Sequence, residues 1–126
     1  MTKLYRSQIT AVGPEVEDLL GGGVLIFFRT GVPPELAEVS VLHNPEIETR
    51  TPPSVGSSIQ IGEKRLVITA IGDKAWEKTI DLGHLTLSLG GANKADRPGE
   101  ICVSGATAAE LAAQLAAGVF LEVHAA

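Results

Sequence analysis

Apolar residues along this chain come in short runs, each closed by glycine, proline or a polar turn. Residues 4–12 carry β-branched side chains in partial alternation, the pattern of a strand, and Gly13-Pro14 break it. Residues 15–20 suit one or two helical turns, with Pro14 near the first helical position, acids in the first turn and Gly21-Gly22-Gly23 as the stop. Val24-Leu25-Ile26-Phe27-Phe28 is a continuous apolar run of strand length, which predicts a strand buried on both faces. After Gly31-Val32-Pro33-Pro34, residues 35–37 predict a short helical turn and residues 39–43 a third strand. Residues 44–58 are polar, contain three prolines and read mostly as loop, with Ile47 and Val55 turned inward.

Ile59-Gln60-Ile61 and residues 65–71, joined around Gly62-Glu63, predict a hairpin. Residues 73–82 predict a helix capped by Asp73 and stopped by Gly83. Leu85, Leu87 and Leu89 then alternate with His84, Thr86 and Ser88, as in a half-buried strand. Residues 100–104 and 119–123 complete the strands. Between them, Thr107 and Glu110 have capping-box spacing ahead of an alanine-rich helix that runs to Ala117 and stops at Gly118. No internal repeat, low-complexity segment or linker stands out. Short strands dominate, without the regular strand–helix alternation of a doubly wound fold. The reading is mainly β: a single-domain β-barrel-like fold over residues 1–126, with two or three short helices.

A length of 126 residues allows one ordinary domain with its own core. The net charge of −5 and the absence of a basic stripe argue against nucleic acid or an anionic membrane as partner. One cysteine excludes an internal disulfide and suits a reducing compartment. No signal-peptide pattern and no run of membrane-spanning length occur, so the expected location is the cytoplasm, with no membrane insertion.

The chain has three histidines, His43, His84 and His124. His43 closes the run 39–43 and is followed at once by Asn44-Pro45. An imidazole at a strand end reaches solvent while its backbone stays fixed, which suits a nucleophile that meets another protein's phosphoryl group. The plainer alternative is a half-buried ring satisfied by backbone. His84 lies on a polar strand face with Thr86 and Ser88, and His124 reads as a solvated residue. Cys102, in Ile101-Cys102-Val103, reads as a small buried hydrophobe rather than a reactive thiol. No metal-ligand spacing and no Gly-x-Ser-x-Gly elbow occur. Gly21-Gly22-Gly23 precede a strand rather than a helix, so they read as a turn and not as a phosphate loop.

Several segments together carry a family likeness. They are Tyr5, Ile9-Thr10 and Gly13; Leu25-Ile26, Phe28-Arg29 and Gly31; Pro34 and Leu36; Leu42-His43; Val67, Thr69-Ala70 and Gly72; and Pro98-Gly99 with Val103 and Gly105. The most specific block is Leu82-Gly83-His84-Leu85-Thr86-Leu87. On these residues the chain resembles the glucitol/sorbitol-specific IIA component of the phosphoenolpyruvate-dependent sugar phosphotransferase system.

The resemblance implies a barrel-like fold and a phosphocarrier role, with no cofactor and no metal. His43 would accept a phosphoryl group from the phosphocarrier HPr. It would then pass the group to the IIB part of a IIB/IIC hexitol permease. The membrane components, not this chain, would select the hexitol. A homodimer or an exchanged segment stays open. Some relatives carry further polar residues or histidines just after the acceptor, where this chain has Asn44-Pro45-Glu46. His84 is the candidate for donating to the phosphoryl group or orienting His43. Glu46 and Glu48 are expected to point away from incoming phosphate. Val39 and Val41 are expected to form a small apolar docking patch around His43. Two alternatives stand beside the carrier: a non-catalytic regulatory or binding module of the same fold, and an unrelated ligand-binding barrel.

Overall fold

A computed structural model describes residues 2–126. The strands are β1 (Lys3–Val12), β2 (Val24–Arg29), β3 (Val41–Glu48), β4 (Ser58–Ile61), β5 (Lys64–Ile71), β6 (Leu85–Leu89), β7 (Glu100–Ser104) and β8 (Phe120–His124). Four short helices interrupt them: α1 (Val16–Gly21), α2 (Pro34–Ala37), α3 (Ala75–Leu82) and α4 (Ala108–Ala112). The strands close into a barrel in the order β1-β3-β2-β6-β7-β5-β4-β8, so no edge is left unpaired. The β2–β3 and β6–β7 pairs are parallel, and the other neighbours are antiparallel. Alternate residues fill the interior, mostly aliphatic ones such as Ile9, Leu25, Ile61, Ile68, Leu87 and Leu121. No helix among the described residues is long and apolar enough to cross a membrane.

The chain follows the same path twice, which corrects the reading that no repeat exists. In β1-α1-β2-α2-β3, the last strand pairs antiparallel with the first and parallel with the second. In β5-α3-β6-β7 the same relations recur. Ile9-Thr10-Ala11-Val12-Gly13 and Ile68-Thr69-Ala70-Ile71-Gly72 occupy the matching positions, and each carries a register shift at the same point. The Gly13 N–H donates to the Ser40 carbonyl at 2.9 Å, as the Gly72 N–H does to Glu100 at 2.8 Å. The halves join through the antiparallel β2–β6 pair. In this correspondence His43, opposite Ile9, falls where the second half has Val103, opposite Ile68.

Residues 44–48 are strand rather than loop. The ten-residue β1 supplies a partner for them, with Ser7 opposite Pro45 and Tyr5 opposite Glu48. Pro45 is tolerated because the pairing of β3 with β2 ends at His43, so no ladder bond is asked of it on that side. Ile47 and Val55 are 40% and 62% exposed, not turned inward. Asp73 does not cap α3; the N-cap position falls at Lys74, and no side chain caps it. The Ala75 N–H reaches the Gly72 carbonyl instead, at 3.2 Å. The Thr107–Glu110 capping box is present, but α4 ends at Ala112 rather than Ala117. Beyond it the chain tightens into three-residue turns, with the Gln114 N–H donating to the Leu111 carbonyl at 2.9 Å.

Candidate functional site

His43 lies inside the barrel, not at its surface. Its ring is 0% exposed. Nε2 stands 2.7 Å from the Gly83 carbonyl oxygen, and Nδ1 stands 2.5 Å from the Ser7 hydroxyl oxygen. A carbonyl only accepts, so Nε2 holds the proton and donates it to Gly83. Nδ1 is then the lone-pair nitrogen and accepts from Ser7. Phe27 meets the ring edge-on at 5.8 Å, and the Tyr5 ring lies 6.2 Å away. The expectation of a solvent-reaching imidazole at a strand end is thereby corrected: β3 continues past His43 because β1 pairs with it further on. The expected docking patch is corrected too, since Val41 is fully buried and Val39 precedes the strand.

Both ends of α3 close this end of the barrel. Trp76 packs edge-on to Tyr5 at 5.7 Å, and its Nε1 donates to the Thr49 carbonyl at 2.8 Å. The Gly83 carbonyl holds His43, and the Ile80 carbonyl accepts from Arg29 Nη2 at 3.3 Å. Gly83 ends α3 in the left-handed region, at φ 65°. A Cβ there would lie 2.8 Å from the Arg29 Cβ and 2.9 Å from the Arg29 nitrogen, so only glycine lets the turn approach β2 this closely.

Arg29 is the register partner of His43 across the β2–β3 pair. Its Nη2 also donates to Glu48 Oε1 at 2.8 Å. Glu48 in turn stands opposite Tyr5 across β1–β3. Glu48 therefore stands on His43's side of the barrel mouth, paired with a cation, which corrects the expected outward turn. Glu46 does turn away, 3.4 Å from Arg6 Nε on the outer face. The Tyr5 hydroxyl is buried with no hydrogen-bond partner. Burial first, then Glu48, raises its pKa well above the ordinary phenol value, while Arg29 pulls it down.

His84 is placed apart from His43. Its ring stacks on Phe28 at 4.1 Å and 11°, and its Nε2 lies 3.0 Å from Thr86 Oγ1. Phe28 alternates with the inward Phe27, so this stack is on the outside of the wall. The group that reaches His43 from this segment is the Gly83 backbone. His124 pairs with Glu122 Oε1 at 3.0 Å. Cys102 is buried as expected, and burial followed by its hydrogen bond with Glu100 pushes the thiol up to about 11. Among the described residues no cluster of three or more metal-ligating side chains occurs. Sequence reasoning missed Ser7 as a partner of His43, and Arg29 and Glu48 as neighbours. Ser7 was findable, because it shares its strand face with Tyr5 and Ile9, where apolar side chains are the rule.

Burial lowers the His43 pKa below the ordinary value of 6.5; the Gly83 carbonyl pulls it up and Arg29 pushes it further down. The unfolded chain therefore binds this proton more readily than the folded one. The stabilisation is full above that ordinary value and is lost as pH falls below it. The urea midpoint is expected to drop between about pH 7.5 and about pH 5.5, and His43→Gln is expected to flatten that drop. His84, also lowered by burial and then by Lys78, supplies part of what remains. An equally steep drop in the variant would show that His43 is not a buried neutral group.

The same barrel fold occurs in a solved phosphotransferase-system structure. It is shared with the crystal structure of a PTS system IIA component from Enterococcus faecalis V583, at a TM-score of 0.73 and 14% identity, over 94% of this chain and 98% of that one. At that identity the likeness is one of fold alone.

The sequence narrows the class. Residues 4–117 match the family described as PTS system glucitol/sorbitol-specific IIA component. Two relatives named PTS system glucitol/sorbitol-specific EIIA component, from Shigella flexneri and Escherichia coli (strain K12), are each 36% identical over 106 residues, 83% of this chain and 85% of theirs. The chain belongs to the glucitol/sorbitol-specific IIA family of the phosphotransferase system.

Proposed function

We propose that this chain is a cytoplasmic phosphocarrier that takes a phosphoryl group from phospho-HPr onto His43. It then hands the group to the IIB part of a glucitol/sorbitol permease. The observation that carries this reading is the hold on the His43 ring: a reversible hydroxyl at Nδ1 and a single backbone carbonyl at Nε2. Family membership supports the carrier role.

Transfer requires the Gly83 carbonyl to withdraw, and the left-handed glycine between α3 and β6 is the natural hinge. Nε2 then releases its proton to solvent and Nδ1 takes one up. The Ser7 hydroxyl turns from donor to acceptor and holds that Nδ1 proton. The Nε2 lone pair attacks phosphorus in line. As the Nε2–P bond forms, the donor's P–N bond breaks and its electron pair returns to the donor imidazole. Hand-on to IIB runs the same way, with His43 as the leaving nitrogen. His84 is a positioning residue on this reading, holding the Gly83–His84 peptide through its stack on Phe28.

The complete burial of His43 favours a second reading, a regulatory or binding module of the same fold that does not turn over. Intact-mass spectrometry after incubation with phosphoenolpyruvate, enzyme I and HPr separates the two. Wild type and His84→Gln are expected to gain one acid-labile phosphoryl group, and His43→Ala none. No gain in wild type, with active partners, leaves the module reading. A gain in all three proteins moves the acceptor away from His43.

A further inference from the structure

A phosphoryl group arriving at His43 brings negative oxygens into a corner that is buried at rest, and it needs donors there. Nε2 is covered by Gly83, whose carbonyl oxygen touches it at 2.7 Å. The same Gly83 lies against the stem and backbone of Arg29. Withdrawal of this turn therefore opens a space bounded by Nε2 on one side and Arg29 on the other.

The Arg29 head is held meanwhile by two acceptors. One is Glu48 Oε1 at 2.8 Å, and the other is the Ile80 carbonyl at 3.3 Å. Ile80 and Gly83 belong to one turn of chain. One movement thus bares the nucleophilic nitrogen and takes an acceptor from the guanidinium. A second, independent observation marks the same corner. The Tyr5 side chain is 0% exposed, and its hydroxyl has no partner. A buried unpaired hydroxyl costs stability, and a partner gained in another state of the site gives a reason for it to be kept. Its ring lies 6.2 Å from that of His43, and its register partner is Glu48, which Arg29 holds.

We infer that the Arg29 guanidinium and the Tyr5 hydroxyl are the donors that receive the phosphoryl oxygens when His43 is phosphorylated. This rests on the carrier reading above. Arg29 leaves the Ile80 carbonyl for an oxygen of the transferred group, and Tyr5 gains the partner it lacks. Neither changes its protonation state.

The test is the initial rate of His43 phosphorylation in wild type, Arg29→Gln, Arg29→Lys and Tyr5→Phe. Phospho-HPr is one donor, and phosphoramidate, which needs no docking surface, is the other. Arg29→Gln is expected to lose about 100-fold with both donors, and Arg29→Lys to recover part of that loss. Tyr5→Phe is expected to lose about 10-fold while its melting temperature stays unchanged or rises, because it removes an unpaired buried hydroxyl. A purely structural tyrosine would not separate rate from stability in this way. A wild type that accepts phosphate while Arg29→Gln and Tyr5→Phe match its rate overturns this inference and leaves the carrier standing. Loss with phospho-HPr but not with phosphoramidate makes Arg29 a docking residue and overturns it too. A wild type that takes no phosphate from either donor sinks the carrier reading and this inference with it.

Discussion

Gly13→Ala is expected to cost about 3 kcal/mol or more, read as a lower urea midpoint at unchanged slope. Gly13 turns the chain from β1 into α1. A Cβ there would lie 2.5 Å from the Glu38 carbonyl oxygen, and closer still to that of Ala37. Both are backbone atoms, one of the last residue of α2 and one of the connection from it to β3, and that connection is tied down. The Glu15 N–H donates to the Glu38 carbonyl at 3.0 Å, and the Gly13 N–H to the Ser40 carbonyl at 2.9 Å. The clash cannot be relieved by turning a side chain. Small domains hold about 5–15 kcal/mol in all, so the loss is a large share. Gly72→Ala repeats the experiment in the second half, with a Cβ 2.6 Å from the Arg97 carbonyl oxygen and closer to that of Pro98. Losses under about 1 kcal/mol at both sites would mean that the connections yield and that the repeated glycine is not a packing requirement. The effect bears on function, because the α2–β3 connection feeds the strand that carries His43.

The second large effect is expected at Ser7. Ser7→Ala should slow phosphoryl acceptance by His43 about 10- to 100-fold, and should cost about 1–3 kcal/mol of stability. Without the hydroxyl, Nδ1 of a buried ring has no partner in either tautomer. The ring loses one of the two anchors that aim Nε2 at the α3 turn. The tautomer is readable by nitrogen NMR: wild type at rest should carry its proton on Nε2, because Gly83 can only accept. Ser7→Thr, which keeps the hydroxyl, should recover most of the rate even if the added methyl costs stability. A rate within about twofold of wild type in Ser7→Ala would remove Ser7 from the mechanism.

Much of the local structure was open to reading in the sequence. Alternation in residues 84–89 placed Leu85 and Leu87 in the core, and Gly83 stopped α3 as its position suggests. The Thr107–Glu110 box forms as spaced, with the Glu110 N–H donating to Thr107 Oγ1 at 3.1 Å. The Thr107 backbone N–H, which donates to Glu110 Oε1 at 2.9 Å, and then Lys64 draw the Glu110 carboxyl down to about 2. The repeat was also written there, in Ile9 to Gly13 and Ile68 to Gly72, but the segments that follow share no residue pattern: Gly21-Gly22-Gly23 in one half, the longer α3 in the other. The shared strand pairing, the matching register shifts and the hydrogen bonds at Gly13 and Gly72 make the correspondence plain.

Side-chain alternation, helix caps and glycine turns are settled between residues a few positions apart, so the chain alone was enough for most strands and the barrel-like class. The site itself is built from distant pieces. β3 passes His43 only because β1 pairs with it, Ser7 reaches Nδ1 across that pairing, and Gly83 reaches Nε2 from the other half of the barrel. Each contact spans dozens of residues and follows from barrel closure and strand register, which no local pattern encodes. For that reason the same histidine reads as an open strand end in sequence and lies sealed beneath α3 in the fold.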